Sequence, residues 1–145
     1  MRLFGHPLHP AMVHFPIAFW SLATVLDALA FFALAETWAH GWVLIALGLA
    51  IGLAAMAAGF MELTRLAEEA QAAAQRHMMT MGLAWTCYLG ALMSRLKDGA
   101  PIAEPAALPV ALSAIGFILL LVGGWLGGDL VYRYGAGREE TQRTK

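Results

Sequence analysis

The sequence predicts an all-α integral membrane protein that folds as one four-helix bundle over residues 1–145. Its composition is the first reason, because 60% of the residues are apolar and only 13% are charged, far from the average of soluble domains. The mean hydropathy of +0.66 agrees. The charges also leave long uncharged runs. Since a bilayer core of about 30 Å needs about 20 helical residues, these runs are long enough to cross a membrane.

Four such runs predict the helices, over about residues 15–35, 42–61, 77–95 and 108–128. The segment before the first helix is rich in proline, which predicts an irregular or extended strap. Residues 98–109 are expected to form a loop, and residues 138–145 a polar tail. We expect no second domain and no internal repeat.

Basic residues predict the orientation, because cytoplasmic segments of membrane proteins are enriched in lysine and arginine. With four spans, both termini and the connection at 62–76 lie on one side. That side holds Arg2, Arg65, Arg76, Arg133, Arg138, Arg143 and Lys145. The other side has only Arg95 and Lys97. Both termini are therefore expected in the cytoplasm.

Two features of the apolar runs need an explanation. Asp27 lies inside the first run, where a carboxylate is costly unless it turns inwards, finds a partner or stays wet near the far surface. It also argues against a cleaved signal peptide. Small residues recur at helical spacing in the second run, at Gly48, Gly52, Ala55 and Gly59. Such a stripe lets helices approach closely, and it equally leaves room for a flat cofactor.

Several function classes lack their signatures. The chain has no basic cluster of the kind that binds nucleic acid, and its single cysteine, Cys87, excludes an intrachain disulfide. It has no phosphate-binding loop, dinucleotide fingerprint or catalytic-triad order. Nothing in the sequence therefore indicates an independent enzyme.

Histidines at one end of the bundle suggest a haem site. His14 begins the first predicted helix and His77 begins the third, so both are expected at the cytoplasmic end. Imidazoles from two helices that face an interior of small residues are suited to bind haem iron as axial ligands. The alternative is that these histidines cap helices or contact lipid headgroups.

The opening motif His6-Pro7-Leu8-His9-Pro10, followed by Val13-His14-Phe15-Pro16-Ile17, resembles the bacterial predicted-membrane-protein family called domain of unknown function 2231. Gly59, Arg76-His77 and Gly127-Gly128-Asp129-Leu130-Val131-Tyr132 followed by Gly135 match its later motifs. The resemblance implies a multi-pass protein of the bacterial inner membrane. Because some relatives are linked to Rieske-type iron–sulfur domains, it also implies redox partners. The family itself has no established activity.

The leading hypothesis is a small b-type cytochrome that carries electrons in the membrane, with haem b between His14 and His77. His9 is the next candidate for the site, and Arg76 and Tyr132 are expected near the propionates. Gly59 and Gly124 are expected to leave space for the macrocycle.

Two other functions stay open. The glycine stripes also suit an accessory subunit that packs against a larger membrane complex or another copy of the chain. Asp27 and the histidines also suit a metal or proton conduit, which is the weaker alternative.

The N-terminal strap is expected to close the cytoplasmic mouth of the bundle. His6 and His9 would then meet residues 127–132, with the Asp129 carboxylate accepting an imidazole N–H.

Overall fold

The computed structural model describes residues 2–3, 6–63 and 66–137, with side chains from residue 8 onward. It confirms the all-α four-helix bundle. The helices are α1 (Leu8–Phe32), α2 (Trp38–Leu63), α3 (Glu68–Met93) and α4 (Ala107–Tyr132), and a short 3-10 turn at Ala35–Thr37 precedes α2. Two-residue strands form the pairs β1 (Arg2–Leu3) with β2 (His6–Pro7) and β3 (Leu96–Lys97) with β4 (Ala100–Pro101).

Three segments of the described chain are long and apolar enough to cross a membrane, namely Leu8–Phe32, Ala35–Leu63 and Ala107–Tyr132. The prediction of four spans is therefore supported by length and composition for three helices. Helix α3 differs because it begins well before the predicted residue 77, and its first turns include Glu68, Glu69 and Arg76. Its apolar residues from 77 onward still pack closely against α4.

The predicted irregular or extended strap is wrong from Leu8 onward, because α1 begins there, whereas Arg2–Leu3 and His6–Pro7 are extended. Pro10 lies in the first turn of this helix, where its missing N–H removes no helical hydrogen bond. Pro16 lies deeper, and it cannot donate to the carbonyl of Met12, but its ring is buried against the bundle. Early helix formation places His9 inside the bundle rather than ahead of it.

The loop predicted between α3 and α4 contains a small hairpin. Asp98 and Gly99 join β3 to β4, and both have positive φ, as a two-residue hairpin turn requires. The chain then returns to the bundle, where the indole N–H of Trp38 donates to the carbonyl of Ile102 at 3.0 Å. This bond holds the segment against the start of α2.

The centre of the bundle is built around two aromatic rings. Trp20 of α1 and Tyr88 of α3 are both fully buried. Glycines on the neighbouring helices make room for them. A Cβ at Gly48 of α2 would overlap the Trp20 indole, and one at Gly116 of α4 would lie 2.9 Å from the Tyr88 ring. The small-residue stripe on α2 therefore serves packing inside the molecule.

The expectation of no internal repeat is wrong. Helices α1 and α2 form one hairpin and α3 and α4 form another, with the closest packing inside each hairpin. Equivalent positions are 68 residues apart, the spacing of Trp20 from Tyr88 and of Asp27 from Arg95. Because each of these residues contacts its own equivalent, the hairpins are related by an approximate twofold axis that runs along the bundle.

Candidate functional site

His9 lies at one end of the bundle, in the first turn of α1. Its Nδ1 atom is 2.7 Å from the backbone carbonyl oxygen of Ala55 on α2. A Cβ at Gly59, one turn further along α2, would lie 2.9 Å from the same ring nitrogen. The His9 ring is therefore held in a notch that only glycine leaves open.

His77 of α3 repeats this arrangement in the second hairpin. Its Nδ1 atom is 2.9 Å from the carbonyl oxygen of Gly123 on α4, and a Cβ at Gly127 would lie 3.1 Å from the ring. Each histidine precedes the carbonyl that it contacts by 46 residues. The two environments are thus equivalent under the twofold axis.

The two rings meet at the axis. Their centroids are 6.4 Å apart and their planes are nearly perpendicular, at 86°. We call His9, Ala55, Gly59, His77, Gly123 and Gly127 the histidine end of the bundle. Every one of the four helices contributes to it, so its geometry is fixed by the packing of the whole domain.

Each imidazole has a defined tautomer. A carbonyl oxygen only accepts hydrogen bonds, so Nδ1 must carry the proton in both His9 and His77. In the neutral rings, Nε2 then keeps its lone pair. Metal-binding histidines are commonly oriented by this kind of bond from the other ring nitrogen. Each ring can therefore offer its Nε2 atom to an electrophilic centre.

The other predicted residues are placed differently. His14 is exposed on the outer surface of α1, and the ring contact of His77 in the described part of the chain is with His9. Arg76 and Tyr132 are exposed. A Cβ at Gly124 would meet nothing within 4 Å, so this glycine lies on the outside of α4, whereas Gly59 lies beside the His9 ring.

The expected closure by Asp129 is replaced by another contact. Within the described residues, the Asp129 carboxylate pairs with Arg133 on its own helix, at 3.3 Å. His9 closes the mouth instead through the Ala55 carbonyl and the His77 ring. The side chain of His6 lies outside the described residues, which include only its backbone in β2.

Asp27 is buried at the opposite end, where it forms an ion pair with Arg95. The hydroxyl of Ser113 on α4 donates to the same carboxylate at 2.7 Å. The guanidinium of Arg95 lies over the Trp38 ring, 4.0 Å from its centroid. A Cβ at Gly41 would overlap the Asp27 carboxylate, so α2 also needs glycine here. We call Asp27, Trp38, Gly41, Arg95 and Ser113 the arginine end.

The sequence analysis used Arg95 only as a charge that indicates the orientation, and it did not identify Arg95 as the partner of Asp27. The spacing of 68 residues is the signal that relates it to Asp27. Along α3 and its last turn, His77 and Arg95 are separated by 18 residues, or about 27 Å at the rise of an α-helix. The distance between the two ends is therefore close to the thickness of a bilayer core.

Comparison with known proteins gives a family and no function. The family model described as "Predicted membrane protein (DUF2231)" matches residues 5–140. No curated protein and no solved structure matches the chain.

Proposed function

We propose a function for this chain, which belongs to the family of predicted membrane proteins called domain of unknown function 2231, from the geometry of its histidine end. It is a small membrane cytochrome that holds haem b between His9 and His77 and carries single electrons. The observation that carries the proposal is the meeting of two equivalent imidazoles at the twofold axis, each with Nδ1 bonded to a backbone carbonyl.

The number of ligands favours haem over a bare metal ion. The described residues contain no group of three or more His, Cys, Asp or Glu side chains that would hold a metal ion. Zinc and copper sites usually take at least three protein ligands. A porphyrin supplies four nitrogens itself and needs only axial ligands from the protein. Two imidazoles therefore suffice for haem.

The spacing of the rings is also suitable. Two imidazoles that would hold one haem between them must lie close together. The centroids of His9 and His77 are 6.4 Å apart. In addition, the hairpins pack less closely against each other than the helices within each hairpin do. A macrocycle would lie in this seam.

The protein's own contribution follows from the neighbours of the two rings. The Ala55 and Gly123 carbonyls fix the tautomers and raise the basicity of the free nitrogens. Gly59 and Gly127 allow the rings to approach α2 and α4. Haem supplies one-electron chemistry when it is bound. Arg76 is exposed next to His77, and charge-assisted bonds to propionates are available to it at this surface.

An absorbance spectrum of the purified protein tests the proposal. After expression with ample haem precursor, we expect a Soret band in the oxidised protein. Reduction with dithionite should sharpen the visible bands, as two strong-field axial imidazoles require. A folded, monodisperse protein without a Soret band would contradict the proposal.

The accessory-subunit hypothesis is the second candidate, and the structure changes its basis. Most glycines of the two stripes contact side chains within the molecule, so they are not available to a partner helix. They are Gly48, Gly52, Gly59, Gly116, Gly123 and Gly127. Gly124 and Gly128 have open space outside α4, and their GxxxG spacing suits a second helix. A gentle-detergent pull-down tests this candidate, because a chromophore-bearing monomer without a partner would count against it.

The conduit hypothesis gains no support from the described contacts. Asp27 is bonded to Arg95 and Ser113 at the arginine end. Between that end and the histidines lie the stacked rings of Trp20 and Tyr88.

A further inference from the structure

A cavity of about 350 Å³ lies at the arginine end, between the start of α2 and the segment that follows β4. Its lining includes Trp38, Trp42, Arg95 and Ile102. Ligand-binding cavities in proteins are commonly of this size, mostly apolar with a few polar groups. It stands apart from the histidine end, and the proposed haem does not use it.

Two residues of the lining have hydrogen-bond donors without acceptors. The Nε and Nη1 atoms of Arg95 and the indole nitrogen of Trp42 are buried and have no partner among the described residues, and the same is true of Oδ1 of Asp27 beside the guanidinium. Buried donors in folded proteins are nearly always satisfied, by protein or by something bound. Donors from α2 and from the turn after α3 meet at one cavity, and they favour a ligand that carries acceptor oxygens.

The charge of the site selects among such ligands. Arg95 is already paired with Asp27, so the ion pair has no net charge to offer an anion. No other residue of the cavity lining is ionisable. A neutral carbonyl oxygen satisfies an N–H donor without bringing a second negative charge close to the Asp27 carboxylate. The two indoles offer flat faces for a ring.

A second, shallower cavity of about 720 Å³ continues from the first along the outer face of α1 and α2. The two cavities share Ala39 and Val43. Leu22, Leu26 and Leu44 supply much of the second lining, so this groove is mainly apolar. It offers a path for a hydrocarbon chain that leaves the first cavity into the lipid.

We propose that the arginine end binds the head of a membrane quinone, with carbonyl oxygens toward Arg95 and Trp42 and its tail in the apolar groove. A quinone combines the required features, which are a flat neutral ring, acceptor oxygens and a long apolar tail. The site stands on its own contacts and does not depend on haem binding.

The experiment measures binding of decylubiquinone to the purified full-length protein in detergent, by quenching of tryptophan fluorescence and by isothermal titration. Decylbenzene has a ring and the same tail without acceptors, and decanoate carries an anionic head. We expect saturable binding of decylubiquinone and at least about tenfold weaker binding of both other probes, since each lacks the neutral acceptors. No saturable binding of decylubiquinone, or equal or tighter binding of either other probe, would overturn the proposal.

Variants locate the site. Trp42→Phe keeps a ring and removes the donor, and we expect about two- to tenfold weaker binding. Trp125→Phe is its control, because Trp125 is exposed on α4, far from the cavity. Ala39→Trp should block the junction of the two cavities, whereas Leu53→Trp, at an exposed position elsewhere on α2, should not. Equal affinities of the control and cavity variants, with unchanged melting temperatures, would place the binding elsewhere and refute the assignment.

Discussion

Trp20 and Tyr88 stack with their ring centroids 4.8 Å apart and their planes within 10° of each other, although they belong to different hairpins. The Tyr88 hydroxyl also lies 2.8 Å from the Thr24 hydroxyl. The pair lies between the histidine end and the arginine end, on the twofold axis. Three pairs of equivalent residues thus hold the two hairpins together. They are His9 with His77 at one end, Trp20 with Tyr88 in the centre and Asp27 with Arg95 at the other end.

We expect the stacked pair to dominate the stability of the bundle. Trp20→Ala removes a fully buried indole beside Gly48, where backbone cannot fill the space, and should cost about 3–5 kcal/mol of unfolding free energy. Tyr88→Phe loses only hydrogen bonds and should cost about 1 kcal/mol. Unfolding by a graded denaturing detergent measures both. Trp125→Ala, at an exposed position, is the control, and a similar loss there would contradict this prediction.

The twofold relation predicts that the buried ion pair tolerates exchange. Asp27→Ala or Arg95→Ala alone leaves an unpaired buried charge and should cost about 3–5 kcal/mol. The exchange of the two, Asp27→Arg with Arg95→Asp, should recover part of this loss. Adding Ile45→Ser should recover more, because Ile45 is the equivalent of Ser113. The melting temperatures of the two single variants, the exchange and the exchange with Ile45→Ser test this prediction. An exchange variant that is no more stable than the single variants would count against the symmetry.

The haem proposal predicts which histidines matter. His9→Ala and His77→Ala should each remove one axial ligand, which lowers the haem content or converts the spectrum to that of a five-coordinate iron. His14→Ala and His40→Ala should leave the spectrum unchanged, because both side chains are exposed. Pyridine haemochrome analysis gives the haem content of each variant. If His14→Ala abolished the bands and His9→Ala did not, the ligand assignment would be wrong.

The glycines beside the imidazoles provide an independent check. Gly59→Ala and Gly127→Ala place a Cβ at 2.9 and 3.1 Å from the rings, so the imidazoles must move. We expect lower haem content and a reduced melting temperature of the haem-free protein as well. Gly124→Ala and Gly128→Ala are matched controls on α4 with open space around them, and they should behave as the wild type. Equal losses at all four positions would indicate a general effect on the helices.

The membrane orientation can be tested with single cysteines in a Cys87→Ser background. With four spans and cytoplasmic termini, Asp98→Cys in the hairpin turn should react with a membrane-impermeant maleimide in intact cells. Gly137→Cys, just after α4, should react only after the cells are opened. Helix α3 is the least apolar of the four, so Glu69→Cys at its start tests whether it crosses: it should react only after the cells are opened, unlike Asp98→Cys. Labelling of Asp98→Cys and Gly137→Cys from the same side would show that the predicted orientation is wrong.

The number and type of helices could be predicted from the sequence because a bilayer leaves few choices. Backbone groups in hydrocarbon must be satisfied within the segment, so each long apolar run becomes a helix. The faces of those helices were harder to predict. An assumed start near residue 15 made His14 the inward histidine, whereas the helix begins at Leu8 and packs the half-buried ring of His9 against α2 and α3.

The sequence alone determined the composition of the bundle, its apolar runs and the glycines that such close packing needs. Only the tertiary structure decided which residues meet, because helical periodicity fixes neighbours within a helix and says nothing of its rotation against others. The internal twofold relation was hidden for the same reason. Some equivalent positions hold the same residue, as His9 and His77 do, but the pairs in the centre and at the arginine end differ, Trp20 with Tyr88 and Asp27 with Arg95. Their complementary shapes and charges become visible only when the two hairpins pack across the axis.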